Sequence, residues 1–336
     1  MGEDCACCCS LSVGIVIFIL GVAIIDWIKR MQRGKASLVG EHVVITGGSS
    51  GIGKELGIKS AERGAHVTIL ARDVQKLEEA CKEIRSRVKS SSQNINFFKA
   101  DVTNYEEIES VFRRCEVEVG PIDILINCAG YAFPSKLEDI PLHHIKGMMD
   151  INYLGTAYAV RSVLSSMKSR RKGRIVCVSS VGGLVGLYGY TAYSASKFAI
   201  RGFCEALQME VKPYGISVTV SCPPDTDTPC FEEENKVKPE ETKLISASSG
   251  VFPPAKVAED ILRDTLAGDF FTTTGMDGNL STMLNAGMSP MSSVFGLLLQ
   301  TMFSGIIRLV SLGYLYSFNR IVENCASKKE KRKKLE

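Results

Sequence analysis

Tyr193 and Lys197 stand four residues apart in YSASK, a spacing that puts both on one face of a helix. A phenol ionises near pH 10, so it exchanges protons poorly at neutral pH unless a cation favours its phenolate. The Lys197 ammonium, one turn away, is such a cation. Thirteen residues before Tyr193 is Ser180, which closes the apolar run GRIVCVSS. Its hydroxyl is placed to hold a carbonyl oxygen while Tyr193 protonates it. Ser179 ends the same run and is the alternative substrate-binding serine. Asn152, in INYLG, is placed to hold a water that links Lys197 to solvent. Each of these residues alone would have a structural job; together, in this order, they describe a site for carbonyl reduction. That chemistry also needs a hydride carrier.

The carrier's site is written earlier in the chain. The run HVVI enters TGGSSGIG, residues 46–53, and a helical pattern follows at once. Gly47 permits the tight turn, Gly51 lets the backbone approach a pyrophosphate, and Gly53 allows close packing of helix on strand. The loop as a whole, with Ser49, Ser50 and Ile52, presents free amides to phosphate. The next run ends in Leu70, Ala71 and Arg72. An NAD-selective protein offers a carboxylate to the ribose at this place, whereas Arg72 suits a 2′-phosphate and Lys76 adds a second charge. The cofactor expected is therefore NADPH. Asp73 is assigned to a helix start. Asp101, followed by Val102, closes the third run where adenine would lie, and Asn127 opens NCAG where the fourth meets the cofactor.

These pieces need a scaffold. Six short apolar runs, beginning at residues 42, 66, 95, 122, 173 and 216, alternate with helical stretches such as 54–62 and 76–89. Unalternating apolar strands between helices mean a parallel sheet covered on both faces. The fold class expected is α/β, a Rossmann-like doubly wound parallel sheet, as one catalytic domain over residues 41–275.

Composition narrows the function classes. Of 336 residues 45 % are hydrophobic and 23 % charged, which excludes a wholly disordered chain. A net charge of +3 without zinc-finger spacing argues against a nucleic-acid binder, and four histidines leave little for a metal site. Twelve cysteines do not make a disulfide framework. Cys81, Cys115, Cys128, Cys177, Cys204 and Cys222 sit among apolar neighbours as reduced core residues. Cys5, Cys7, Cys8 and Cys9 crowd the N-terminus, where acylation stays open.

Both ends read as membrane segments. Residues 11–28 form an apolar run near the lower limit for a spanning helix, and Lys29, Arg30, Arg33 and Lys35 follow it. Charge bias then puts the chain downstream of residues 1–40 in the cytosol. In residues 276–336, the stretch 294–318 is apolar apart from Gln300, Arg308 and small polar residues, long enough for one tilted span or a re-entrant hairpin. The chain closes with KKEKRKKLE, in which Lys333 and Lys334 resemble a dilysine retrieval signal and can also meet anionic lipid.

TGGSSGIG, NCAG, INYLG and the serine thirteen residues ahead of YSASK resemble the short-chain dehydrogenase/reductase family over about residues 41–230. The resemblance implies that Asn152, Ser180, Tyr193 and Lys197 form a catalytic tetrad, with Tyr193 and Lys197 also touching the cofactor. Pro223 and Pro224 stand where the family commonly has Pro-Gly, which alters the loop after the sixth strand. Residues 192–235 resemble a narrower branch, membrane reductases of the endoplasmic reticulum with a cytosolic active site. That likeness implies a long-chain sphingoid ketone as substrate, NADPH as reductant and membrane lipid as a partner. Residues 226–249 would be the substrate lid, with Asp227, Glu232, Glu233 and Glu234 facing the substrate amine. A reductase of steroid or retinoid carbonyls keeps the same tetrad and is the alternative. Homo-oligomerisation and coat-protein recognition of the dilysine tail stay open.

Overall fold

The computed structural model describes residues 19–247 and 249–334. The N-terminal cysteines and residues 11–18 of the first apolar run lie outside the described residues. Seven parallel strands form one sheet in the order β3-β2-β1-β4-β5-β6-β7. They are β1 (His42–Thr46), β2 (His66–Ala71), β3 (Ile95–Lys99), β4 (Ile124–Asn127), β5 (Gly173–Val178), β6 (Ile216–Ser221) and β7 (Phe271–Thr272). The first six are the apolar runs of the sequence. β7 is not legible there, because two residues carry no periodicity, and only its pairing to β6 makes it a strand.

Alternation along each strand feeds two cores. Val43, Ile45, Ile124 and Ile126 point to one face, covered by α2 (Gly51–Glu62), α3 (Val74–Arg85) and α10 (Pro254–Ala267). Val44, Leu125, Ile175 and Val218 point to the other, covered by α4 (Tyr105–Glu118), α6 (Gly155–Arg170) and α7 (Thr191–Val211). Chain order reverses between β1 and β4, and such a switch point opens a crevice beyond the carboxyl ends of the strands.

Several local signals set the boundaries. Asp73 caps α3 by accepting from the Lys76 amide at 3.2 Å, the helix-start role expected of it. That helix ends at Arg85 rather than running to Lys89, because Gln93 Oε1 accepts from the amides of Lys89 and Ser90 and draws the chain into a turn. Between α5 (Leu142–Met148) and α6 the helix widens into a π-turn, Met149–Leu154, which carries Asn152. The segment expected to be a lid holds two helices, α8 (Pro229–Val237), capped by Thr228, and α9 (Glu240–Ser246).

Two further helices flank the domain. α1 covers residues 19–33. After α11 (Gly275–Leu284) comes α12 (Val294–Lys333), 40 residues without a break. α12 is long and apolar enough to cross a membrane. Of the two alternatives, a single tilted span or a re-entrant hairpin, the unbroken α12 does not have the hairpin's turn, and the basic tail continues the same helix because Lys, Glu and Arg are good helix formers.

Candidate active site

The switch-point crevice is a cleft of about 550 Å³. At one end lies the loop between β1 and α2. Gly47 sits at φ +69°, and a Cβ there would come within 2.7 Å of the Ala129 amide nitrogen, so only glycine lets the two loops approach. Ser50 occupies the N-cap of α2 without a side-chain bond to the first-turn amides, which leaves them available to phosphate. Gly47, Ser49, Ser50, Gly51, Ile52 and Gly53 all line this end.

Arg72 and Lys76 lie at the same end, exposed and without an ion-pair partner among the described residues. Asp101 lines the cleft beside Val102, with its carboxylate accepting from the amide and hydroxyl of Thr103. The donor set fits a phosphorylated dinucleotide: free helix amides for the pyrophosphate and two unpaired cations beside Ala71, with the Asp73 carboxylate engaged by the Lys76 amide at the start of α3.

Asn127 stands apart from the other expected cofactor contacts: its side chain is buried beneath the cleft, reaching the Val176 carbonyl at 3.4 Å. As the last residue of a central strand it points into the layer, and Cys128, Ala129 and Gly130 line the cleft in its place.

At the other end β5 delivers Ser179 and Ser180, and the first turns of α7 deliver Tyr193 and Lys197. The two serines separate clearly. Ser179 is buried and donates to the Lys197 carbonyl at 2.9 Å, so its hydroxyl is committed to holding α7 on β5. Ser180 accepts from the Gly182 amide at 3.0 Å and is hydrogen bonded with the Tyr193 phenol. Lys197 donates to the Val178 carbonyl at 2.9 Å and lies 5.8 Å from the Tyr193 ring centre. Asn152 does not line the cleft. Its amide accepts from Tyr131 N and donates to Tyr131 O and Ser196 Oγ, which ties the loop after β4 to α7 behind Lys197.

Burial acts on these groups in opposite senses. It raises the Tyr193 pKa, Glu234 adds to the rise, and the Ser180 bond partly offsets it. The phenol therefore keeps its proton at neutral pH. Burial pushes the Lys197 ammonium down to about 8, with the neighbouring thiols of Cys128 and Cys230 pulling upward.

Beside Tyr193 is a group that the sequence showed only in part. Glu234 and Asp225 both line the cleft and flank Lys238, at 2.9 and 3.8 Å. The Lys238 side chain is 1 % exposed, and the Tyr190 hydroxyl donates to Glu234. Two carboxylates around one ammonium leave one net negative charge here. Of the acids expected to face a substrate amine, only Glu234 lines this cleft; Glu232 and Glu233 are exposed on α8, and Glu233 pairs with Lys236. Sequence reasoning missed Asp225, Lys238 and Tyr190. The four-residue step from Glu234 to Lys238 is the signal that could have found the pair.

The short chain dehydrogenase model matches residues 41–239. The chain belongs to that family. It is 48 % identical to a 3-dehydrosphinganine reductase of Danio rerio, over 87 % of this chain and 89 % of that protein. It is 46 % identical to a 3-ketodihydrosphingosine reductase of Bos taurus, over 88 % and 89 %. It is also 40 % identical to the 3-dehydrosphinganine reductase TSC10B of Arabidopsis thaliana, over 96 % of each chain. Among solved structures, a variant of actinorhodin polyketide ketoreductase with NADPH aligns at a TM-score of 0.63 and 27 % identity, covering 70 % of this chain and 95 % of that one. The family match spans both the glycine loop and YSASK. It ends between α8 and α9, so α1 and α12 lie outside it.

Proposed function

We propose that this short-chain dehydrogenase reduces 3-ketodihydrosphingosine to sphinganine with NADPH, at the endoplasmic reticulum membrane with its catalytic domain in the cytosol. The observation that carries the reading is one cleft with three unlike parts. Unpaired Arg72 and Lys76 line it with the glycine loop, the Tyr193 and Ser180 hydroxyls line it as well, and the net negative Asp225–Glu234–Lys238 group lies beside Tyr193. A 2-amino-3-keto substrate bears an ammonium next to its reacting carbonyl, which fits the last two parts together. Relatives named for this reduction support the same substrate, and the apolar helix α12 supports a membrane site.

NADPH, when bound, supplies the hydride to C3. The chain's own groups do the rest. Ser180 donates to the ketone oxygen as negative charge builds on it. Tyr193, kept protonated by burial, then delivers its proton to that oxygen. Lys197 faces the phenolate left behind and holds it until solvent restores the proton. Asn152 acts on this step by positioning, since it ties the Tyr131 backbone to the Ser196 hydroxyl next to Lys197. Asp225 and Glu234 hold the substrate ammonium, so that the carbonyl rather than the alkyl chain meets Tyr193.

The test is NADPH oxidation by the detergent-extracted full chain, offered 3-ketodihydrosphingosine, a steroid ketone and retinal separately. The expected result is turnover of the first and little of the others. Preference for the steroid or the retinal would move the assignment to that class of carbonyl, and no turnover of any would remove it.

A further inference from the structure

Between residues 301 and 325, α12 has only six covered or half-covered positions: Ile307, Ser311, Phe318, Ile321, Val322 and Cys325. Their spacing traces one helical stripe. That stripe seats α12 along α9 and α11. Lys329 pairs with the buried Glu241 of α9 near one end. At the other, Asp26 of α1 accepts from the Ser293 hydroxyl and the Val294 amide, capping the helix. The opposite face is apolar and bare: Met302 and Leu309 are each 69 % exposed and Tyr316 is 66 % exposed, with Leu312 beside them.

A helix held to one domain near both ends cannot put those ends on opposite sides of a bilayer. Its 40 residues span about 60 Å, twice the roughly 30 Å hydrocarbon core. Arg308 lies exposed near the centre of the apolar half, and its side chain has no partner among the described residues. At the middle of a bilayer that charge is costly, whereas on a helix lying at headgroup depth it reaches phosphate along its own stem. Lys328, Lys331 and Arg332 at one end, and Lys29 and Arg33 on α1 at the other, are exposed as well and complement anionic lipid.

We propose that α12 lies flat on an anionic lipid surface, with Met302, Leu309, Leu312 and Tyr316 in the boundary between headgroups and acyl chains, and does not cross the bilayer. The seated helix touches α9, whose Thr242 donates to the Tyr188 carbonyl at 2.8 Å, five residues before Tyr193. Lipid contact and the active-site mouth are thus joined by one short helix.

The experiment uses the chain's single tryptophan. In a full-length Trp27→Phe background, Trp replaces Met302, Leu309, Leu312 or Tyr316 in turn. Each protein is reconstituted in mixed phosphatidylcholine and phosphatidylserine vesicles containing phosphatidylcholine brominated at one of several acyl depths. A flat helix places all four at one shallow depth, and Phe318→Trp, on the packed stripe, escapes quenching. A crossing helix spreads residues 302–316 over about 21 Å, at 1.5 Å per residue, so that quenching runs in a gradient, deepest at Leu309 beside Arg308 and shallower towards Met302 and Tyr316. That gradient overturns the proposal. So does the absence of quenching at all four positions, which would mean that protein, such as a second copy of the chain, covers the face. Retained NADPH binding certifies each variant as folded, and any three positions suffice to separate one depth from a gradient.

Discussion

Replacing Lys197 by Met should make the protein more stable at pH 7 while removing its activity. The Lys197 side chain is buried, and burial pushes its pKa from 10.5 to about 8. At pH 7 it is charged in both the folded and unfolded chain. Burying that charge therefore costs the fold about 3 kcal/mol, because each tenfold weakening of proton binding is worth about 1.4 kcal/mol. Methionine removes the charge but also the bond to the Val178 carbonyl, worth about 1 kcal/mol, which leaves a net gain of about 2 kcal/mol. The sign with pH follows from the depressed folded pKa: the wild type loses stability as pH falls from 10.5 to about 8 and regains it as pH rises. Between pH 7 and pH 9.5 that recovery is about 2 kcal/mol, so the advantage of Lys197→Met should shrink almost to nothing. Urea unfolding of both detergent-extracted proteins without cofactor, at the two pH values, measures the difference. A gap that stays constant with pH would refute the argument that charge burial at Lys197 costs the fold. Single-turnover ketone reduction on the same samples should be lost in the variant at both pH values.

Arg72→Ala should weaken NADPH binding at least tenfold, about 1.4 kcal/mol, and leave NADH use nearly unchanged; equal losses in fluorescence titrations with both cofactors would contradict its assignment to the 2′-phosphate. Tyr193→Phe should abolish nearly all ketone reduction with NADPH affinity retained, because the glycine loop and Arg72 hold the other end of the cofactor; substantial single turnover by the folded variant would reject Tyr193 as proton donor. Glu234→Gln makes the group beside Tyr193 neutral overall. A substrate ammonium about 6 Å away, at an effective dielectric of about 20, then loses about 3 kcal/mol, so kcat/KM for 3-ketodihydrosphingosine should fall about a hundredfold while a long-chain ketone without the amine is reduced faster than before, because the carboxylate that holds the Tyr193 proton is gone.

Patterns that one strand or one helical turn can express were legible in the sequence. All six long strands, the glycine loop, the Tyr193 and Lys197 pair and Ser180 are of this kind, since period and spacing translate directly into a face. The choice of Ser180 over Ser179 rested on the thirteen-residue spacing to Tyr193 alone, because adjacent residues at a strand end differ only in the side they point to, and that depends on which face α7 covers. The burial of Asn127 was hidden for the same reason: its motif adjoins the cleft, but its side chain belongs to the layer beneath. β7 depended on a neighbour 50 residues earlier, and Asp225 meets Glu234 and Lys238 only because the loop after β6 folds back on α8. The continuity of α12 was hidden by composition. Hydropathy changes sharply near residue 319, yet helix propensity does not change with it.

The placement of Glu234 links recognition to proton transfer. Its charge helps to keep Tyr193 protonated, which suits a donor waiting for substrate but opposes release of the proton. An ammonium bound between the cluster and the carbonyl cancels part of that field, so on the proposed reading the substrate that fits also makes the phenol a better acid. A ketone without the amine finds Tyr193 still held by burial and by the uncompensated carboxylate. Discrimination then arises in the chemical step as well as in binding, since the same charge acts on the ground state of the enzyme and on the bound substrate with opposite sign. Lys238 sets how far this goes: without its ammonium the two carboxylates would repel each other in a buried site and one would protonate, and with it one net charge remains to meet one ammonium.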